Sequence, residues 1–390
     1  MVRPQVDCRT LEFMRVLTLT PFYPTASDDA AGCFVADPIR ALEEFEVESR
    51  VVAVQPFYKE RPVPNGHPVQ WVRYLAIPGG PGLASSGAFL YASLRSKIRE
   101  LHQSQPIDLI HAHAALPCGR TAMLLSQELR IPFVVTVHGL DVFFDVQVGG
   151  YAGRRCRRIA HSVYQTAARV ICISTKVADA LTSSGLSANV KVIHNGVDPA
   201  RFSPGHSVPG HPKILSIGNL IPIKGHELLL RAFARLHEQH PTVSCDIIGD
   251  GPELSYLTRL AEELKVAGRV RFLGRQTRER VADAMQRCTI FALPSSYEGL
   301  GCVYLEAMSA QKPVVACRGQ GIDDVIQHGH NGWLIGANDL CGMADALSTL
   351  LQDLPLQRRI ASEARKSILQ AYTLTHQAAG LSQLYRECAA

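Results

Sequence analysis

The sequence predicts two successive α/β domains, each built on a doubly wound parallel sheet, and three observations carry that expectation. Short, continuously apolar runs alternate with segments of helical periodicity through most of the chain. Unbroken apolar runs suit parallel strands covered by helices on both faces, whereas strands with one wet face alternate. The rhythm breaks once, at Ser203-Pro204-Gly205-His206-Ser207-Val208-Pro209-Gly210-His211-Pro212, where three prolines and two glycines in ten residues mark a linker. The length of 390 residues fits two domains at roughly 100–200 residues each.

In chain order, residues 15–20 read as the first buried strand, followed by strand patterns at 50–54, 107–111, 133–137, 170–174 and 190–194. Helical patterns fall between them at 87–101, 118–129 and 176–182. After the linker, strands are expected at 213–217, 243–248, 270–273, 289–293, 313–316 and 332–335, with helices at 226–237, 252–265, 279–285, 302–310 and 340–351. The βαβ rhythm of both halves implies parallel sheets. The expected domains are 1–205 and 206–371, with a final helix over 372–390 that can return to the first domain. Residues 1–13 precede the first strand as an extension, and Met14 is an alternative start. In open parallel sheets ligands bind at the carboxyl ends of the strands, so two such domains face a central cleft and the chemistry belongs on the loops that follow strands.

Composition narrows the class. Hydrophobic residues make up 46% and charged residues 19%, as in a globular protein with large cores. The net charge is +5, and the first 205 residues hold 21 of the 40 basic and 17 of the 35 acidic residues. That surplus is too small to argue for nucleic acid, and it is compatible with weak attraction to an anionic membrane surface. The eleven cysteines are scattered, with no C-x-x-C pair, which reads as reduced core thiols in a cytoplasmic protein. No apolar stretch reaches the ~18 residues of a membrane span, and the N-terminus lacks a signal-peptide pattern.

The most informative segment is Leu293-Pro294-Ser295-Ser296-Tyr297-Glu298-Gly299-Leu300-Gly301-Cys302-Val303-Tyr304-Leu305-Glu306-Ala307-Met308. A strand ends, a glycine-bearing turn follows, and a helix opens near Cys302. Glycine lets a ligand approach the backbone, and a helix N-terminus offers free amides to phosphate. Glu298 and Glu306 lie roughly 12 Å apart along a helix axis, too far to share a proton and suited to two stations on an extended ligand. Elsewhere the chain lacks a dinucleotide fingerprint: Thr20 is followed by Pro21-Phe22-Tyr23-Pro24-Thr25 with only Gly32 nearby, and no Walker motif occurs.

These residues resemble the glutamate-x7-glutamate motif of retaining GT-B glycosyltransferases, especially glycosyltransferase family 4, whose fold is two Rossmann-like domains facing a cleft. The resemblance implies that Glu298 contacts the donor sugar, that Glu306 contacts the nucleotide ribose, and that the amides of Gly299, Leu300 and Gly301 hold diphosphate or sugar. Ile217-Gly218-Asn219-Leu220-Ile221-Pro222-Ile223-Lys224-Gly225 resembles the family's diphosphate-gripping loop, with Gly218, Asn219 and Lys224 as donor contacts. Phe272-Leu273-Gly274 resembles its base-binding edge. His138, in Val135-Thr136-Val137-His138-Gly139-Leu140-Asp141, matches the histidine beside the donor sugar, and Gly32 matches the glycine loop that approaches the diphosphate. His111 and His113, expected to follow a strand, read as cleft-lining or structural. Asn219 stands where the family commonly has arginine, Gln311 replaces a common glycine, and Gly319-Gln320-Gly321-Ile322-Asp323 varies the usual turn. Neutralisation of the diphosphate then rests on Lys224 and helix amides. No cofactor and no metal are expected. Asp28-Asp29 lies in the wrong domain for a metal-bound donor.

The expected partners are a UDP- or GDP-linked sugar and a lipid-linked or saccharide acceptor. Arg154-Arg155-x-Arg157-Arg158, and the 87–101 helix with Leu90, Leu94 and Ile98 beside Arg95, Lys97 and Arg99, hint at contact with the inner face of a membrane. The turn at Gly319-Gln320-Gly321 is similar to that of enzymes of bacterial surface-polysaccharide assembly. A GT-B-fold nucleotide-sugar epimerase and a non-catalytic nucleotide-sugar-binding protein are the competing readings.

Overall fold

The computed structural model describes residues 13–63, 68–139, 148–186, 188–205 and 210–390. The extension before Phe13, Leu140-Asp141 of the histidine loop and positions 206–209 of the linker lie outside the described residues.

The first domain runs β1 (Met14–Thr20), α1 (Cys33–Ala41), β2 (Val47–Pro56), β3 (Val69–Tyr74), α2 (Gly80–Ser104), β4 (Leu109–His113), α3 (Arg120–Leu129), β5 (Phe133–Val137), α4 (Gly150–Thr166), β6 (Arg169–Cys172), α5 (Thr175–Ser183) and β7 (Val190–Val192). The second runs β8 (Lys213–Ile217), α6 (His226–Gln239), β9 (Ser244–Ile248), α7 (Leu254–Glu263), β10 (Val270–Phe272), α8 (Arg278–Arg287), β11 (Ile290–Leu293), α9 (Cys302–Ser309), β12 (Val314–Cys317), β13 (Trp333–Ile335), α10 (Leu340–Gln352) and α11 (Leu354–Ala371). Seven strands in the order β3-β2-β1-β4-β5-β6-β7 make the first sheet, and six in the order β10-β9-β8-β11-β12-β13 make the second. Every ladder is parallel. Both sheets are therefore doubly wound, and strand order reverses beside β1 in one and β8 in the other, which opens a crevice at each switch point.

Burial explains the apolar runs. All five residues of β5 and all four of β11 and β12 are buried, as helix-covered strands should be. A last helix, α12 (Leu374–Ala389), returns to the first domain. Its Ala378, Leu381, Leu384 and Tyr385 pack with Met14, Val16, Leu109, Val134 and Ile171 beneath the first sheet. The return is pinned where Val197 N donates to Tyr372 O and Leu374 N donates to Val197 O, both at 3.0 Å.

Several expectations need correction. The strand at 107–111 is displaced to Leu109–His113, so His111 and His113 lie within β4 rather than after it. The strand at 170–174 stops at Cys172, because Ser174 caps α5 by accepting from Val177 N. The stripe Leu90, Leu94 and Ile98 on α2 is 0–1% exposed and belongs to the core, so that helix turns only its charged face outward. Strand β3 and helices α4 and α11 are additions that the apolar pattern does not reveal. Of the ten described cysteines, six are buried and none forms a disulfide.

Candidate functional site

Three helices that face the cleft open without a capping side chain. Gly32 precedes α1 at φ 73°, Gly225 precedes α6 at φ 71° and Gly301 precedes α9 at φ 83°. No side chain caps their first turns, and although Val35 N and Tyr304 N turn back to Gly32 O and Gly301 O at 2.9 and 3.0 Å, a helix start of this kind suits an anion. At Gly32 the requirement is also steric: a Cβ would sit 2.4 Å from Tyr23 N. The loop after β8 lies against the loop after β11, where a Cβ on Gly225 would meet Pro294 O at 2.2 Å.

These two loops carry the central pair. Lys224, in a short 3-10 turn, places Nζ 2.6 Å from Oε1 of Glu298. The same oxygen accepts from Ser295 Oγ at 3.0 Å, and Glu298 N donates to Gln320 Oε1 at 3.0 Å. Glu298 is buried, so its charge needs these partners. The first domain joins in through Lys176, whose Nζ lies 2.6 Å from Gln320 Oε1 and from Gly319 O and 5.1 Å from the centre of the Tyr297 ring. Burial pulls the Lys176 ammonium below its ordinary pKa, opposed by Asp323 and Glu298.

His138 sits across the cleft from this pair. A Cβ on Gly299 would approach His138 O to 2.6 Å, and one on Gly139 would approach Tyr297 Oη to 3.0 Å. Gly299 O accepts from Ser174 Oγ. His138 is thereby brought beside Gly299, while Phe22 and Phe34, which flank Gly32, hold its ring at centroid distances of 5.6 and 4.9 Å. Burial drives its pKa down to about 3, so the ring is neutral at physiological pH.

A cavity of about 320 Å3 joins Gly32 of the first domain to Gly218 and Asn219 of the second, with Gly249, Asp250 and Arg275 completing its wall. Gly274, at φ 64°, accepts from Gly249 N through its carbonyl, and Leu273 N continues the β9 ladder by donating to Ile247 O. Glu306 lies deeper. Its carboxyl is pushed up to about 7, chiefly by burial, with Arg278 opposing and Asp37 reinforcing the shift. Arg278 NH2 pairs with Asp37 at 2.7 Å, and Arg278 N donates to the Asp29 carboxylate at 3.1 Å. Arg275 pairs with Asp28. Asp28, Asp29 and Asp37 therefore clasp the second domain.

The structure thus gathers the predicted residues into three adjoining groups: Lys224 with Glu298, His138 with Gly299, and Gly32 with Gly218 and Asn219. Leu300 and Gly301 complete the turn into α9, and Leu273 and Gly274 form the far edge. Lys176, Arg275, Arg278 and Asp37 escape sequence reasoning. They are ordinary charged helix and loop residues until the two domains meet, and Asp28-Asp29 had entered only as a pair in the wrong domain for a metal-bound donor.

The family model for glycosyl transferases group 1 matches residues 201–367, and the glycosyltransferase family 4 model matches residues 34–201. The chain belongs to the group 1 glycosyltransferases. It is 31% identical over 305 residues to the D-inositol 3-phosphate glycosyltransferase of Corynebacterium jeikeium, covering 72% of each chain. It is 28% identical over 291 residues to the N-acetyl-alpha-D-glucosaminyl L-malate synthase of Bacillus anthracis, covering 72% of this chain and 74% of that one. Among solved structures, HepE from Anabaena in complex with UDP-glucose superposes with a TM-score of 0.75 at 21% identity, covering 96% of this chain and all of the other. That similarity establishes the GT-B fold of this glycosyltransferase.

Proposed function

We propose that this glycosyltransferase moves a hexose from a UDP- or GDP-sugar to a lipid-linked acceptor, with retention of configuration and without a metal ion. One observation carries the donor reading: the Lys224–Glu298 pair stands at the carboxyl ends of β8 and β11, facing His138 of the other domain. In this reading the diphosphate lies against Lys224 and the amides that open α6 and α9, Glu298 takes hydroxyls of the sugar, and Glu306 takes the ribose. The sugar C1–O bond to phosphate breaks, and the acceptor oxygen bonds to C1 on the same face. The acceptor's proton passes to the departing phosphate oxygen. Lys224 and the helix amides favour the charge that grows on that phosphate. Asp28 and Asp29, the one adjacent acidic pair near the cavity, are engaged by Arg275 and the Arg278 amide, which supports the metal-free reading.

The lipid-linked acceptor draws on a surface at the carboxyl rim of β2 and β3. Six of the eleven exposed large apolar side chains among the described residues are Phe57, Tyr58, Val63, Leu75, Ile77 and Tyr151. Tyr58, Tyr74, Ala76, Ile77 and Leu83 line a groove of about 300 Å3 there. Val148, at its edge, leads into α4, which exposes Arg154, Arg155, Arg157 and Arg158 and contains no acidic residue. Apolar side chains beside a basic helix face suit an amphiphile on an anionic membrane. Among the described residues no helix is long and apolar enough to cross a membrane.

Thermal-shift titration with nucleotide sugars tests the donor. A ligand at 100 times its Kd stabilises by about 2.7 kcal/mol, and absence of a shift with every UDP- and GDP-sugar overturns the reading. Donor alone yielding an epimer would instead make the protein an epimerase. Proton NMR of the product's anomeric coupling tests retention, and turnover in EDTA tests metal independence. Sedimentation with phosphatidylglycerol vesicles tests the acceptor surface, with Ile77→Ser expected to weaken it.

A further inference from the structure

We infer that His113 is a positioning residue for His138, and that the two rings must carry the same tautomer. The inference rests on the reading above, in which His138 faces the donor sugar. Strand β4 ends in His111-Ala112-His113, so the two histidines share one face of the sheet. His113 Nδ1 lies 3.0 Å from His138 Nε2, and the ring planes are within 19° of parallel with centroids 5.2 Å apart, the edge-to-edge arrangement an in-plane N–H···N bond requires. Both rings are pushed toward neutrality by burial, and a neutral imidazole has one N–H and one lone pair. One proton therefore serves the contact. If His138 donates from Nε2, His113 accepts at Nδ1 and keeps its own proton on Nε2. If His113 donates from Nδ1, His138 accepts at Nε2 and keeps its proton on Nδ1. Either both rings are Nε2–H or both are Nδ1–H, and no mixed arrangement makes the bond.

The support reaches further back. His111 packs against His113 with ring centroids 4.3 Å apart at a tilt of 35°, and is itself fixed at both nitrogens, Nδ1 by Tyr385 Oη at 2.6 Å and Nε2 by Thr136 Oγ1 at 2.7 Å. Tyr385 belongs to α12, the helix that returns after the second domain. The orientation of His138 is thus supported by a buried column running from the C-terminal helix through His111 and His113. A histidine's function depends on which nitrogen holds the proton, and the partner of the other nitrogen decides that.

The test compares His113→Leu, which fills space without a nitrogen, with His113→Asn, whose amide lies near the lost Nδ1. Nitrogen-15 NMR of the full-length protein reads the tautomer of His138 in each, and steady-state kinetics read kcat and KM for the nucleotide sugar. We expect wild type to show one tautomer, His113→Leu to show a mixture, and kcat to fall roughly tenfold or more with KM changed less than about twofold. His113→Asn should restore most of kcat. A single unchanged His138 tautomer in His113→Leu, or equal loss of kcat in both variants, overturns the inference. Because nitrogen-15 shifts need no turnover, the tautomer result stands even if no donor sugar binds, which would count only against the transferase reading.

Discussion

Lys224 and Glu298 are each other's nearest counter-charge, 2.6 Å apart, on loops that follow β8 and β11. A diphosphate approaching Lys224 must compete with that carboxylate, and a sugar approaching Glu298 must compete with the ammonium. Donor binding in the proposed mode exchanges one ion pair for two ligand contacts. Glu298→Gln should consequently tighten binding of a free nucleoside diphosphate by roughly tenfold, because it removes a nearby negative charge and frees Lys224. The same substitution should depress transfer. Isothermal titration with UDP and GDP, beside turnover, separates the two effects, and weaker binding in Glu298→Gln would contradict the competition.

Gly32→Ala should be damaging well beyond its size. The position requires φ 73°, and the new Cβ would stand 2.4 Å from a backbone nitrogen that cannot rotate away. Left-handed strain and the clash together should cost about 1–3 kcal/mol. Urea unfolding would show this as a lower midpoint, and the KM for the donor should rise.

Asp37 and Arg278 hold the domains together at 2.7 Å, with Arg278 Nε buried and lacking a hydrogen-bond partner. Asp37→Asn leaves the guanidinium buried and poorly paired, a costly state that separation of the domains relieves. Small-angle scattering should report a larger radius of gyration in Asp37→Asn, and the donor KM should rise several-fold.

The buried histidines and Glu306 respond to pH in opposite directions. Burial takes His111 and His138 down to about 3, and His113 well below its usual value, so the unfolded chain binds protons there that the folded chain refuses. Stability should fall as pH drops below about 6.5, the unfolded histidine value. Glu306 is raised to about 7, so it contributes a stability loss as pH climbs from about 4.5 to 7. If its ionised form accepts from the ribose, donor KM should fall between pH 6 and 8, and Glu306→Gln should flatten that trend. Thermal melts and KM measured across pH 5 to 8 check both signs.

Much of this architecture was legible from residue order alone. Continuous apolar runs such as 133–137 and 213–217 coincide with β5 and β8, because a strand covered on both faces has no polar side to disguise it. Strand β3 lies at the sheet edge, and Gln70 on one face and Arg73 on the other interrupt its apolar run, so it gave no signal. Helix α4 was hidden for a related reason: it buries only small or scattered residues, Gly153, Cys156, Ala160, Val163 and Tyr164, among four arginines.

What the sequence by itself determined is the pair of parallel sheets, since strands covered on both faces read as unbroken apolar runs, while the segments that carry Gly32, His138, Lys224, Glu298 and Glu306 stood out through their resemblance to a glycosyltransferase family. What only the tertiary structure decided is who meets whom. Lys224 meets Glu298 across 74 positions, Asp37 meets Arg278 across the cleft, and Tyr385 supports His111 across 274. Charge, burial and a neighbour's lone pair act over a few ångströms of space, and distance along the chain carries no information about them.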